Sequence, residues 1–333
     1  MPRTLRQAAE AAGIRPGTIQ GIGVDFPAPV NVADGKVLDL ANLKHPDWRG
    51  FGVRDALQKS LNGPNGFSPQ IIAVDNDAAA AMYGVLPELP TSEQRSLVGG
   101  YFIGTGLGGA FLFKGKNAFN NKGGGAEPGA VPINFDEGNT LLGRPLGACT
   151  MRLEQFISLT AIERQLRLLN QHLLIPADHP LLRLEAEGGK GEWRIRAQNV
   201  IKFAGEAFAS GKMDDFSIRL FKVQQEVLGL HLAGIVQTFR PAHIFIGGGV
   251  VDLRRVTEEF RRWYVDGIRD ATKRNIAQTA RQETGFPHFH IPKDGDFAAP
   301  KGAALMAQQA LASHLKRERE KARRVGAHGV VQA

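Results

Sequence analysis

Gln70-Ile71-Ile72-Ala73-Val74-Asp75-Asn76-Asp77-Ala78-Ala79-Ala80-Ala81-Met82 is the stretch on which the fold class turns. Its first five residues form a short, mostly apolar run, the pattern of a parallel strand buried on both faces. Asn76-Asp77 follows at once, and an alanine run then opens a helix. A strand that passes directly into a helix is the repeating unit of an α/β protein. Two roles are open to the polar pair. Asp77 or Asn76 caps the helix, or the pair sets a carboxylate beyond the carboxyl end of the strand, where ligands of open α/β sheets bind. In the second role the helix N-terminus lowers the Asp77 pKa and leaves a modest base. That suffices for a phosphoryl acceptor hydroxyl, because the loose transition state asks mainly for orientation and late proton removal.

The same alternation continues on both sides of this stretch. The pattern predicts a helix over Leu5–Ala12, a strand over Thr18–Val24 and an amphipathic helix over Arg54–Leu61. A strand over Ser96–Ile103 enters Gly104-Thr105-Gly106-Leu107-Gly108-Gly109 and leaves through Ala110-Phe111-Leu112-Phe113-Lys114. Asn117–Asn134 reads as loop, Met151–Ile175 as one long helix and His179–Arg196 as an inserted excursion. Asn199–Phe239 is helical with a break near Gly211, and Ala242–Ile246 is a strand ending in Gly247-Gly248-Gly249. Thr257–Ala280 reads as a charged helix, Pro287–Ile291 as a last strand and Lys301–Arg324 as a last helix.

Gly104-x-Gly106-x-x-Gly109 matches the dinucleotide fingerprint as a string, but that motif requires a helix after the glycines. Here an aromatic-rich strand and a Lys-Gly turn follow, so the segment reads as a β-hairpin. Its glycines either bring bare backbone N–H groups close to an anion or only build a tight turn. Gly247-Gly248-Gly249 is equally open to two readings, a structural turn or a place where a flat ligand approaches the backbone.

Composition excludes several classes. The 333 residues are 43% hydrophobic and 22% charged, enough for a sizeable core of about two domains. No apolar run approaches the roughly 20 residues of a membrane span, and the N-terminus has no signal-peptide core. Cys149 is the only cysteine, so neither an intramolecular disulfide nor a multi-cysteine zinc site is available. A cytoplasmic protein is expected, with Cys149 as a packed small side chain. The formal charge is +8, and Lys316–Arg324 (+4) and Arg254–Arg274 (+3) carry most of it. Both stretches interleave the two signs, the mark of a solvated helix face rather than a nucleic-acid surface. Leu5–Ile19 leaves room for one helix only, so a groove-reading second helix is excluded. His288 and His290 fall on one face of a strand. With no cysteine or third histidine near them in the sequence, they read as a surface pair.

In order along the chain, several segments resemble those of the ROK family of bacterial sugar kinases and sugar-binding repressors. Gly21-Ile22-Gly23-Val24-Asp25-Phe26-Pro27-Ala28-Pro29-Val30-Asn31 resembles its GIGxGxPGPVD stretch. Asn42-Leu43 with Trp48, Asp75–Ala81 and Phe102–Gly109 resemble its NL…W, NDANAAA and GTGIGGG motifs. Ala126-Glu127-Pro128-Gly129-Ala130 stands where AGEIGH is expected, and Leu153–Ser158 resembles the end of the cysteine motif. Ile244–Gly249 and Lys301–Leu305 match the final glycine strand and the GAALLA helix.

The resemblance implies an actin-like, ribonuclease H-like α/β fold of two lobes around a cleft. Residues 1–98 and the helix 303–324 would form the first lobe. Residues 99–302, with an insertion near 176–198, would form the second, and 325–333 a tail. It implies Asp77 as catalytic base and Asn42, Asn76, Asp77, Glu127 and Glu154 as sugar contacts. Gly104, Thr105 and Gly106 would approach the phosphates of ATP, accompanied by Mg²⁺, and Gly247, Gly248 and Gly249 would border the adenosine. The expected partner is a small-molecule sugar, with a possible homodimer and neither nucleic acid nor membrane.

Four departures accompany the resemblance. The family's DxGGT phosphate loop has no counterpart in the 20 residues before Gly21, so the first lobe is expected to be incomplete. Ala130 replaces the zinc-binding histidine, and the CxCGxxGC run is lost around Gly143–Arg152, so no structural zinc is expected. Ala28 replaces the glycine that lets the backbone approach the sugar. Two functions are therefore weighed: a glucokinase-like kinase acting on a hexose or hexose derivative, and a sugar-binding protein with impaired or no phosphoryl transfer.

Overall fold

Gly21–Phe26 (β1) and Ile71–Asn76 (β4) pair in parallel, with Gly21 opposite Ile71 and Phe26 opposite Asn76. Between them lie the short antiparallel strands Val30–Asn31 (β2) and Lys36–Val37 (β3). The computed structural model describes residues 2–40, 43–61, 67–118, 126–172, 174–175, 179, 197–252, 254, 256–276 and 285–329. The chain divides into two compact units, residues 1–87 with 119–125 and 297–333, and residues 88–118 with 126–296.

In the first unit, helices Pro2–Ala11 (α1), Val53–Leu61 (α2) and Asp77–Val85 (α3) accompany the β1–β4 pair. Val53, Leu57 and Leu61 of α2 are buried at the expected helical spacing and join a core with Ile22, Val30, Val37, Phe67, Ile72 and Val74. The carboxyl-terminal helix, Ala298–Gly329, belongs to this unit and lies against β1 and α3 with no room for side chains. A Cβ on Gly23 would stand 1.8 Å from the Ala303 carbonyl oxygen, and one on Gly84 would stand 1.9 Å from that of Ala298. Close approach of backbones fits the four buried alanines, Ala78–Ala81, with which α3 begins.

The second unit is built on a five-stranded sheet. Leu97–Ile103 (β5) pairs antiparallel with Leu107–Phe113 (β6), which pairs with Lys116–Asn117 (β7). On its other side β5 runs parallel to His243–Gly247 (β10), and β10 to His288–His290 (β11). A separate pair joins Pro132–Phe135 (β8) to Cys149–Arg152 (β9). The helices are Gly138–Leu141 (α4), Glu154–Ile157 (α5), Leu159–Gln171 (α6), Ala197–Ala209 (α7), Phe216–Phe239 (α8) and Glu258–Asn275 (α9). Helix α8 runs through the core, and its Gly229 admits α9 so closely that a Cβ there would be 2.3 Å from Cβ of Ala271. The interleaved charges of α9 form solvated pairs along it, Glu258–Arg262 and Asp266–Arg269, and Arg274 pairs with Glu226 of α8. No helix among the described residues is long and apolar enough to cross a membrane.

Several sequence expectations need correction. Thr18 lies in a 3-10 turn led by Pro16 instead of a strand, and pairing starts only at Gly21, where Ile71 is opposite. The segment Asn117–Asn134 is not all loop. Pro132–Phe135 is a strand because Ile133 and Phe135 alternate toward the core; residues 119–125 lie outside the described set. Met151–Ile175 is not one helix. It begins in β9 and is cut at Ser158, whose extended backbone and hydroxyl cap a new helix through the Ala161 N–H at 3.0 Å. Cys149 is exposed, not packed, because only Met151 of the neighbouring β9 residues turns inward. His288 and His290 do have a third histidine beside them, since β10 brings His243 into register with His288. The described part of the excursion ends at His179, and the 176–198 insertion falls largely outside the described residues.

Candidate functional site

Asp77 is the first residue of α3, delivered there by β4. Asn76 is the cap: its backbone is extended and its side-chain oxygen accepts the Ala78 N–H at 3.0 Å. The Asp77 carboxylate accepts the same N–H at 2.8 Å and keeps an exposed face. Its pKa is raised above the ordinary carboxylate value, not lowered as the helix N-terminus alone predicts. Crowding by protein on its other sides is the largest cause, and the negative charge of Asp25 adds to it. The Ala78 N–H opposes both and is outweighed.

Asp25 was not singled out from the sequence. The signal was present, because the family pattern carries glycine where this chain has Asp25. Asn42 lies outside the described residues.

Within the second unit, the two glycine segments meet. The Gly104–Gly106 turn joins β5 to β6, which confirms a hairpin and excludes a dinucleotide βα unit. Gly247 closes β10 opposite Phe102, so Gly248 falls beside the end of β5. Gly248 has φ +96°, and a Cβ there would stand 2.4 Å from the Ile103 carbonyl oxygen. Only glycine fits that place. The turn is braced from outside: Gly104 N–H donates to the Gly106 carbonyl, Leu159 N–H to that of Gly104, and the Thr160 hydroxyl to that of Thr105. The break at Ser158 is what lets the start of α6 reach the turn. A Cβ on Gly104 would meet nothing within 4 Å, so the turn has an open side.

Glu127 precedes the 3-10 turn Pro128–Ala130, and Glu154 begins α5. The structure brings these two segments together. A Cβ on Gly129 would stand 2.6 Å from the Leu107 carbonyl oxygen and 3.1 Å from Glu154 Oε2, so the turn is wedged between β6 and Glu154. Helix α5 is held from behind. Arg164 and Gln165 donate to the carbonyls of Gln155 and Phe156, and both also bind the buried Glu137 carboxylate. Ala130, at the place of the family's histidine, is exposed. Among the described residues, no group of three or more His, Cys, Asp or Glu side chains is placed to hold a metal ion.

Comparison with known proteins agrees with this architecture. A ROK family glucokinase from Streptomyces griseus, solved with glucose and AMPPNP, is 24% identical and superposes with a TM-score of 0.65, over 92% of this chain and 88% of that one. A ROK hexokinase from Thermus thermophilus is 22% identical with a TM-score of 0.60, over 94% and 87%. A ROK family transcriptional regulator, a homolog of the E. coli MLC protein, is 18% identical with a TM-score of 0.60, over 92% and 67%. These likenesses establish the actin-like α/β sugar kinase fold. The family model itself matches residues 1–310 of the 333, and the chain belongs to the ROK family.

Proposed function

We propose that this chain transfers the γ-phosphoryl group of ATP to a hydroxyl of a hexose or hexose derivative. The carrying observation is the placement of Asp77, exposed at the start of α3 with its proton affinity raised. As the sugar oxygen attacks phosphorus, its O–H bond breaks and the proton passes to the Asp77 carboxylate. The P–O bond to ADP breaks, and ADP leaves. Asn76 holds Asp77 in place by fixing the helix start and by a side-chain hydrogen bond to its carboxylate, and it is itself a proposed sugar contact. Asn42, Glu127 and Glu154 are the other proposed sugar contacts.

The backbone of Gly104, Thr105 and Gly106 suits the ATP phosphates, and Gly247, Gly248 and Gly249 suit the adenosine. The open side of Gly104 supports that fit for the phosphates. Mg²⁺ supplies charge neutralisation on the phosphates when it arrives with ATP. The similarity to a glucokinase solved with glucose and AMPPNP supports the same assignment. A coupled ADP-release assay with glucose, mannose and their N-acetylamino relatives tests it. Sugar-dependent ADP release supports the proposal, and none with any of them defeats it.

The second reading is a sugar-binding protein without phosphoryl transfer. Ala28 and Ala130 favour it, each standing where the family carries a residue important to the sugar site. Each lost neutral contact is worth about 0.5–1.5 kcal/mol, so binding weakens without vanishing. Calorimetric sugar binding with no ADP release would establish this reading.

A further inference from the structure

The relation between Asp25 and Asp77 follows from strand register. Asp25 lies opposite Asp75 in the parallel β1–β4 pair. Partners in a parallel pair point to the same side, and side chains alternate along a strand. Asn76 is extended, with φ −62° and ψ 148°, so Asp77 returns to the face of Asp75. Asp25, Asp75 and Asp77 thus share one face at the carboxyl ends of two strands about 4.8 Å apart. Asp75 is buried and accepts the Asn76 N–H at 2.8 Å. Asp25 is half-buried.

Among the described residues, the other elements packed on this pair are not seen to bring a compensating charge to Asp77. The carboxyl-terminal helix approaches β1 and α3 through Ala298, Gly302, Ala303 and Ala307. Arg54 of α2 is spent on carbonyl oxygens, those of Ile72, Val32 and Ala33. The charge of Asp25 acts on the Asp77 carboxyl, in the direction of holding the proton.

We propose that Asp25 is a positioning residue for the base: its carboxylate, fixed on the neighbouring strand, keeps Asp77 a stronger proton acceptor than the start of a helix alone allows. The inference rests on the kinase reading only for its catalytic consequence; the coupling of the two carboxylates stands without it. Burial is the larger opposing cause, and Asp25 adds to it against the α3 N-terminus, which favours the ionised form and weakens the base.

Carbon-13 NMR of the full chain labelled at aspartate carboxyls tests this. The Asp77 signal is assigned by its loss in Asp77→Asn. In Asp25→Asn the Asp77 titration midpoint falls by roughly half a pH unit or more, and Asp25→Glu restores most of it. An Asp77 midpoint that does not move in Asp25→Asn overturns the proposal; should Asp25→Asn not fold, Asp25→Ser, read in the same way, decides. None of these readouts needs turnover, so a failed kinase assay leaves them intact. Where turnover is found, the acid limb of kcat/KM moves with the NMR midpoint. A limb that stays while the NMR midpoint moves removes Asp77 as the base and leaves the coupling standing.

Discussion

Gly302 of the carboxyl-terminal helix lies so close to Ala80 of α3 that a Cβ on it would stand 1.6 Å from the Ala80 carbonyl oxygen. The obstacle is backbone, which cannot rotate aside. Gly302→Ala should therefore push the two helices apart and cost about 3 kcal/mol or more, at the upper end of overpacking effects. Hydrogen exchange over Ala79–Val85, together with urea unfolding, reads the loss. Gly234→Ala is the contrast. Gly234 is exposed in mid-helix α8 with nothing within 4 Å of its Cβ position, so alanine should stabilise by roughly 0.5–1 kcal/mol. Equal effects at the two positions would contradict the packing account.

Asp77→Asn should lower kcat by roughly 10²–10⁴, the usual contribution of a positioned base. Sugar affinity should change less, because an amide still hydrogen-bonds a hydroxyl. Steady-state kinetics beside calorimetry separate the two, and near-normal kcat in the variant removes Asp77 from the mechanism.

Acid should weaken the second unit through its histidines. His243 Nδ1 lies 3.0 Å from His290 Nε2, and Glu93 is 3.3 Å from His243 Nε2. Burial, then the charges of His243 and His288, push the His290 pKa down from 6.5 to about 4. Burial and His288 lower that of His243 too, against the pull of Glu93. The unfolded chain then binds protons that the folded one refuses between about pH 6.5 and 4, so stability falls as pH falls through that window. His231, beside Tyr101 and lowered to about 4 by burial, acts with the same sign. In His290→Gln the slope of stability against pH should flatten, by at most about 1.4 kcal/mol per pH unit. An unchanged slope between pH 6.5 and 4.5 would show that His290 keeps its ordinary pKa.

Metal analysis of the purified chain should find no stoichiometric zinc. Structural zinc takes four nitrogen or sulfur ligands, and Pro132–Arg152 offers one thiol, which β9 leaves on the surface. One tightly held zinc per chain would overturn this reading of β8 and β9.

Strand and helix order were legible because burial imposes periods on the chain: Ile71–Val74 reads as a buried strand, and Leu107–Phe113 as the return limb of a hairpin. The cut at Ser158 was not legible, since its surroundings are helical in composition and only the cap geometry marks the restart. In the candidate site, the local sequence determined that Asn76-Asp77 ends a strand and opens a helix, and that glycines follow β5 and β10. Tertiary structure alone decided what those residues face. Burial, with the charge of Asp25 that register sets on the same face, reversed the expected direction of the Asp77 pKa. Parallel pairing carried Gly248 to Ile103, and the carboxyl-terminal helix turned Gly23, Gly84 and Gly302 into packing contacts. The physical reason is range: periodicity and capping act over a few neighbouring residues, whereas charge coupling and close backbone approach depend on strands and helices that are distant in the chain.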